Sequence, residues 1–193
     1  MKLILIRHGE SVGNVQRVIY GKTDYDLTQK GLDQSEAMRA LMKQEMINAI
    51  FASPLKRTQH LAQLIARDHG LEVKTSESIS EMNYGVFEGL TPKEVERDFG
   101  PLYAKYLKDY ETYVIPNGEG YFQFRERIYE FLKGLISQKG TYIAVTHSGV
   151  IRECLIYLLE LKPEQVWHFK IEPGSCIQIS YEKGYGILEQ MRL

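Results

Sequence analysis

The stretch Lys2–Asn14, KLILIRHGESVGN, sets the expectations for the whole chain. Its continuous apolar run, Leu3–Ile6, is too short for a helix and is typical of a buried strand. Successive strand side chains point to opposite faces, so Arg7 and His8 can serve one site only if the strand ends there. Gly9 permits a turn at that point. A buried strand that delivers a guanidinium and an imidazole to its carboxyl end predicts a site for an anion.

The composition is that of an ordinary globular domain. At 193 residues the chain is long enough to bury a sizeable core. The net charge of −1 disfavours nucleic acid as a partner, because binding a polyanion needs a basic surface. Cys154 and Cys176 lie in apolar segments and are expected to be buried thiols. We expect a cytoplasmic protein with no membrane span and no signal peptide, and the oligomeric state stays open, a homodimer included.

Strand and helix patterns alternate along the chain. After the first strand, further strands are predicted at 47–52, 73–75, 142–145, 176–181 and 187–193. Helices are predicted at 29–45, 55–69 and 150–159. The second helix is expected to have Ser53 as its N-cap and Pro54 at its first position. The pattern favours a single domain, 1–193, built as a three-layer α/β/α sandwich on a mainly parallel sheet with an antiparallel edge strand.

The segment 84–138 differs from the rest of the chain. Twelve of the twenty tyrosine and phenylalanine residues lie between Tyr84 and Phe131. The segment also contains prolines, a glycine-rich turn and two helical patterns, so we predict a small helical insertion over the site. Two interpretations of its aromatic side chains are open. They pack the insertion against the core, or they line a surface that accepts an apolar part of a ligand.

Three strand ends carry the same kind of signal. The first strand ends in Arg7 and His8, the second leads through Ser53 towards Arg57, and the strand at 142–145 leads to His147. In open α/β sheets, ligands bind beyond the carboxyl ends of the strands. Two of these junctions lead into helices, whose first N–H groups suit an anion. If these groups converge, they form a pocket for phosphate or sulfate, since the arginine fork meets two oxygens at once.

These residues also carry a family resemblance, and further motifs follow along about three-quarters of the chain. The motifs are Arg7-His8-Gly9-Glu10-Ser11 with Asn14, Gly21 with Asp24, Leu27-Thr28, Gly31 with Gln34, Ser53-Pro54-Leu55-Lys56-Arg57-Thr58, Glu81 with Tyr84-Gly85, Glu88-Gly89, and Thr146-His147-Ser148-Gly149. Together they resemble the histidine phosphatase superfamily, the phosphoglycerate mutase-like proteins. One departure is Gly120, which follows Glu119 where many relatives carry serine.

The resemblance implies a phosphoryl-transfer site. His8 is expected to be the nucleophile, which forms a phosphohistidine and so divides hydrolysis into two steps. Arg7, Arg57 and His147 are expected to hold the phosphoryl oxygens, because such transfer depends on positioning and charge stabilisation. This chemistry requires neither a metal ion nor a cofactor.

Further polar groups have supporting roles in the same expectation. Asn14 and Ser148 are expected to add donors to the bound phosphate. Glu81 matches the carboxylate that protonates the leaving oxygen and later takes a proton from water. Glu10 and Glu88 are expected to be structural partners of nearby cations.

The sequence leaves three functions open. The leading one is a metal-independent hydrolase of a small phosphomonoester, similar to the broad-specificity and α-ribazole phosphatases. The second is a phosphoglycerate mutase, which favours a closed site rich in cations. The third is a non-catalytic module that binds a phosphorylated ligand, which the presence of both His8 and Glu81 disfavours.

Overall fold

The computed structural model describes residues 1–192. Its six strands are β1 (Lys2–Arg7), β2 (Ala49–Ala52), β3 (Val73–Thr75), β4 (Thr141–Thr146), β5 (Cys176–Glu182) and β6 (Tyr185–Arg192). Its six α-helices are α1 (Val12–Gln16), α2 (Gln29–Met42), α3 (Lys56–His69), α4 (Pro92–Lys108), α5 (Tyr121–Ile136) and α6 (Ser148–Leu159). Short 3₁₀ turns occupy Glu77–Ile79, Gly85–Phe87 and Pro163–His168. None of the helices described is long and apolar enough to cross a membrane.

One sheet with the strand order β3-β2-β4-β1-β5-β6 forms the centre of the molecule. The pairs β2–β3, β2–β4 and β1–β4 are parallel, whereas β5 pairs antiparallel with both β1 and β6. The predicted fold class is therefore confirmed. The final strand, predicted at 187–193, covers Tyr185–Arg192, and Leu193 lies outside the described residues. The five-residue helix α1 is an element that the sequence analysis did not predict.

The run Leu3–Ile6 shows how the layers form. Leu3 and Leu5 belong to a core cluster with side chains of α5 and α6, whereas Ile4 and Ile6 belong to a second cluster with side chains of α2 and α3. All four side chains are fully buried. Burial of such a side chain contributes about 2 kcal/mol. A strand buried on both faces needs a continuous apolar run, and this run supplies it.

The aromatic-rich segment 84–138 divides between two cores. Its first part, including α4, packs around its own small cluster of Phe87, Val95 and Ile115. In contrast, α5 packs its buried side chains against the sheet and α6, as part of the sandwich. The part of the chain that packs apart from the sheet is therefore shorter than the aromatic-rich segment 84–138.

The start of α3 corrects a sequence prediction. The helix begins at Lys56, so neither Ser53 nor Pro54 occupies the predicted N-terminal position. The N-cap residue is Leu55, whose apolar side chain cannot accept a hydrogen bond. The carboxylate of Asp24 replaces the missing cap and accepts the backbone N–H of Lys56 at 2.9 Å.

Candidate active site

A cavity of about 410 Å³, the first cavity, lies where the carboxyl ends of β1, β2 and β4 meet. The strand order places β4 between β1 and β2, so the segments that follow these three parallel strands are neighbours. All the site residues predicted from the sequence line this cavity: Arg7, His8, Asn14, Arg57, Glu81, His147 and Ser148.

The end of β1 lets Arg7 and His8 share one site. Pairing of β1 with β4 extends to Arg7, after which the His8 N–H donates to the Thr146 carbonyl at 3.1 Å. Gly9 was expected to allow a turn, but its φ is not positive. A Cβ atom there would overlap the carbonyl oxygen of Gly31 at the start of α2, so Gly9 serves close packing of two backbones.

His8 is held as a neutral imidazole. Its side chain is 3% exposed, and its Nδ1 lies 2.7 Å from the carbonyl oxygen of Gly9. A carbonyl only accepts, so Nδ1 carries the proton and the lone pair is on Nε2. Burial lowers the pKa of His8 well below its ordinary value of 6.5, and the cations Arg57 and Arg7 lower it further. The neutral imidazole therefore has one defined nitrogen, Nε2, with the lone pair that a nucleophile needs.

Arg57 is fixed by loop carbonyls. Its side chain is 1% exposed, and its Nη atoms donate to the carbonyls of Thr23 at 2.8 Å and Gly21 at 2.7 Å. The guanidinium carbon lies 4.9 Å from the centre of the Tyr20 ring, and Asp24 lies 3.6 Å from Nη1. Burial lowers the pKa of the Arg57 guanidinium. The ordinary value of an arginine is so high that the group stays charged at neutral pH.

Arg7 has a similar arrangement. Its Nη1 donates to the carbonyl of Ile171 at 2.7 Å, and burial lowers the pKa of its guanidinium. The Nε atoms of Arg7 and Arg57 are both buried without a hydrogen-bond partner among residues 1–192. Buried donors without a partner are uncommon in proteins. Two such donors on cations that line one cavity indicate a place for an anion.

His147 lies beside His8, with the ring centres 5.2 Å apart. Its Nε2 is 2.9 Å from the hydroxyl of Ser53, and its Nδ1 is buried without a partner in the described part of the chain. Burial lowers the pKa of His147 well below 6.5, and the cation Arg57 lowers it further. Ser53, expected to cap a helix, therefore orients this imidazole.

Asn14 uses only part of its amide in the fold. Its Oδ1 accepts the Ser11 backbone N–H at 3.0 Å and the Ser11 hydroxyl at 3.1 Å, which closes the first turn of α1. Since Oδ1 is engaged, the NH₂ group is the part of the Asn14 side chain that can donate to a ligand in the first cavity.

The carboxylate of Glu81 is anchored at the start of α6. Its oxygens accept the backbone N–H of Met82 and the N–H of Gly149, each at 3.0 Å. A Cβ atom on Gly149 would overlap Glu81 Oε1, so glycine is required for this approach. The helix N-termini of α3 and α6 were expected to face an external anion. In each helix one N–H group binds a carboxylate of the protein, Asp24 for α3 and Glu81 for α6.

Glu10 and Glu88 have structural contacts. Glu10 pairs with Lys30 at 3.0 Å, as expected for a carboxylate beside a cation. Glu88 accepts backbone N–H groups from residues 21–23 and from Tyr84, where a cation was expected. These bonds lower the pKa of Glu88 against the opposing effect of burial. Glu88 therefore fixes the loop whose carbonyls hold Arg57.

A second cavity of about 320 Å³ adjoins the first. The two share Glu81, Tyr84, Tyr106 and Ser148, so Glu81 lies at their junction. The remaining lining is mostly aromatic and aliphatic and comes from α4, α5, α6, the turn Pro163–His168 and two loop residues, Met82 and Tyr110. The other members are Leu107, Tyr121, Phe124, Gly149, Arg152, Glu153, Ile156, Pro163, Val166 and Trp167.

Sequence reasoning missed Arg152. It lies one helical turn after Ser148 on α6, and this spacing from the His147 motif was the available signal. The guanidinium carbon lies 4.6 Å from the centre of the Trp167 ring, and Nε is buried without a partner within residues 1–192. Burial lowers its pKa. The second cavity thus offers one cation within an otherwise largely apolar lining.

The described residues contain no cluster of three or more His, Cys, Asp or Glu side chains that could hold a metal ion. Cys154 and Cys176 are both buried as free thiols, and burial raises the pKa of each. Neither cysteine lines the two cavities.

Residues 3–193 match the family model of the histidine phosphatase superfamily, branch 1. The chain belongs to this superfamily, and the resemblance predicted from the motifs is confirmed. Its relatives include enzymes named as phosphatases and enzymes named as mutases.

Three relatives illustrate the range. The chain is 28% identical over 191 residues to the adenosylcobalamin/alpha-ribazole phosphatase of Salmonella typhimurium, covering 98% of this chain and 95% of that protein. It is 32% identical over 184 residues to the 2,3-bisphosphoglycerate-dependent phosphoglycerate mutase of Thermoplasma acidophilum, covering 94% and 88%. The crystal structure of the alpha-ribazole phosphatase from Shigella flexneri superimposes with a TM-score of 0.92 at 28% identity, covering 100% and 96%.

Proposed function

We propose that the protein is a metal-independent phosphomonoester hydrolase that works through a phosphohistidine at His8. One observation carries this proposal: three buried nitrogen atoms without a protein partner, Arg7 Nε, Arg57 Nε and His147 Nδ1, belong to residues that line one cavity with His8. The neutral imidazole of His8 has its lone pair on Nε2. This arrangement suits a phosphoryl group presented to a nucleophile.

The proposed reaction has two steps. In the first, His8 Nε2 forms a bond to phosphorus, the ester P–O bond breaks, and the carboxyl of Glu81 donates a proton to the leaving oxygen. In the second, water attacks the phosphohistidine, Glu81 takes the proton from that water, and inorganic phosphate leaves His8. Arg7, Arg57 and His147 stabilise the charge on the remaining oxygens in both steps.

The position of Glu81 gives the direction of the leaving group. A general acid must lie within hydrogen-bond distance of the oxygen that it protonates, so the leaving group extends from the Glu81 side of the phosphorus. The second, largely aromatic cavity also has Glu81 in its lining and offers an apolar space for the leaving group on this side. We therefore propose a phosphomonoester whose leaving alcohol carries a flat aromatic group, with α-ribazole phosphate as the first candidate.

A phosphoglycerate mutase is the second candidate, favoured by the Thermoplasma acidophilum relative and by Arg152. A mutase holds a bisphosphorylated intermediate, so it needs cations for two acidic groups. Within residues 1–192, the cations that line the two cavities are Arg7, Arg57 and Arg152. The aromatic lining around Arg152 supports the hydrolase more than the mutase.

Turnover of 4-nitrophenyl phosphate by wild type, His8→Ala and the exposed-site control His168→Ala tests the proposal. We expect loss of activity in His8→Ala alone, no effect of EDTA, and a phosphoryl mass increment on rapidly quenched wild type that His8→Ala lacks. Unchanged turnover in His8→Ala, strong inhibition by EDTA, or phosphate binding without turnover would each overturn it. A kinetic screen with α-ribazole phosphate, phosphoserine and the phosphoglycerates then ranks the substrates, and faster interconversion than hydrolysis of phosphoglycerates would establish the mutase.

A further inference from the structure

The segment 77–82 carries Glu81 but contains little regular structure of its own. It consists of the 3₁₀ turn Glu77–Ile79 and an irregular stretch that follows it. Thr146, at the end of β4, donates its hydroxyl to the carbonyl of Ile79 at 2.6 Å. A catalytic carboxylate on such a segment keeps its position only if the backbone around it is held from outside.

Arg127 on α5 supplies that hold. Its Nη1 donates to the carbonyls of Glu77 at 3.2 Å and Ser78 at 2.9 Å, and its Nη2 donates to the carbonyl of Glu81 itself at 3.2 Å. One guanidinium therefore binds the segment both within the turn and after it. No motif of the sequence analysis included Arg127.

Glu119 fixes the orientation of that guanidinium. Its carboxylate accepts Nε of Arg127 at 2.7 Å and Nη2 at 2.9 Å, a forked pair that leaves the remaining N–H groups for the three carbonyls. The side chains of Arg127 and Glu119 are 22% and 19% exposed, so solvent screens the pair only in part. All five N–H donors of Arg127 are thereby engaged, three of them on the segment that carries Glu81.

We propose that Arg127 and Glu119 form a positioning pair for Glu81, and that this pair controls proton transfer to the leaving group. The inference rests on the proposed function, in which Glu81 is the general acid. If the pair is broken, His8 and the arginines of the first cavity keep their own anchors. The defect is therefore confined to the step that needs the proton.

Leaving-group dependence separates this role from simple stabilisation. A substituted phenyl phosphate series changes the basicity of the leaving oxygen while the substrate shape stays nearly constant. The ratio kcat/KM is the right readout, because it reports phosphoryl transfer to His8 and not the later hydrolysis. The rate of phosphoryl transfer from phenyl phosphate depends strongly on the general acid. 4-Nitrophenyl phosphate releases a weakly basic oxygen, so its rate depends on the acid little.

In Arg127→Ala we expect kcat/KM to fall about 10- to 100-fold for phenyl phosphate and less than about threefold for 4-nitrophenyl phosphate. Glu119→Gln should show the same selectivity with a smaller fall, and it serves if the first variant does not fold. The matched control is Arg39→Ala, since Arg39 makes an equivalent forked pair with Asp68, at 2.8 Å for both bonds, between α2 and α3. We expect no change in selectivity for this control.

The double variant Arg127→Ala/Glu81→Gln completes the test. If Arg127 acts through Glu81, it adds no further leaving-group selectivity once the acid is absent. Equal falls for both substrates in Arg127→Ala, or a selectivity change that persists undiminished in the Glu81→Gln background, would overturn the positioning role. If wild type hydrolyses neither substrate, or if His8→Ala hydrolyses both normally, the proposed function itself fails.

Discussion

Replacing His8 with asparagine is expected to make the fold more resistant to acid, although it removes the proposed nucleophile. His8 and His147 are both buried, and burial together with nearby arginines lowers the pKa of both imidazoles well below 6.5. In the unfolded chain both have ordinary values and take up protons near pH 6.5. Below that pH the unfolded state therefore binds two protons that the folded state does not.

The sign and size of the effect follow from proton linkage. A group that is protonated only in the unfolded state makes the free energy of unfolding fall as the pH falls. Each such imidazole changes the folding equilibrium about tenfold per pH unit, so His8 and His147 together contribute about 3 kcal/mol per pH unit. The effect operates between the ordinary imidazole value and the lowered values of the folded protein, and it is absent above pH 7.

Urea unfolding, followed by circular dichroism at a series of pH values between 7.5 and 5, measures this slope. The amide of asparagine can replace Nδ1–H of His8 as the donor to Gly9, and the amide of glutamine can replace Nε2 of His147. We expect His8→Asn and His147→Gln each to remove about half of the excess slope, while His168→Asn, at an exposed site, leaves it unchanged. The reasoning is refuted if the stability of His8→Asn falls with pH as steeply as that of wild type.

Three further substitutions probe separate parts of the site. In Gly149→Ala the added methyl group displaces the Glu81 carboxylate by about 1 Å. Steady-state kinetics should then show kcat/KM for phenyl phosphate falling about 100-fold, while the midpoint of urea unfolding changes little. Arg152→Met keeps bulk but removes the cation, so KM should rise about tenfold for a substrate with an anionic leaving group and stay constant for 4-nitrophenyl phosphate. Arg57→Lys loses the guanidinium fork, so inhibition by inorganic phosphate should weaken about tenfold or more in competition assays.

Sequence alone predicted the centre of this molecule because the centre follows strong local rules. A continuous apolar run followed by Arg7 and His8 predicts a buried strand whose carboxyl end carries two site residues. The parallel sheet then brings the ends of β1, β2 and β4 together, so Arg57 and His147 reach the same cavity. Glu81 was included through the motif alone, since no period or charge pattern marks its position.

The rest depends on contacts between segments that are far apart in the chain. The second cavity draws on four elements, and nothing local in the sequence of α6 shows that Arg152 meets Trp167. The carboxylates of Asp24 and Glu81 bind helix N-termini that lie 32 and 68 residues further along the chain, which no local pattern shows. Aromatic content marked the segment 84–138 but could not show that α5 belongs to the sandwich, because both parts are rich in tyrosine and phenylalanine.

The charges of the first cavity connect its chemistry with its stability. Burial lowers the pKa of His8, and Arg57 and Arg7 lower it further, which keeps the imidazole neutral and its Nε2 lone pair available. The same cations leave two buried Nε donors without a partner in the part of the chain that is described. In the proposed function, the oxygens of a phosphate dianion accept hydrogen bonds from these donors and its negative charge opposes the cationic field, so its binding energy is realised at the reacting group. The acid sensitivity expected of the fold is thus the consequence of burying two imidazoles beside the cations of the proposed phosphate site.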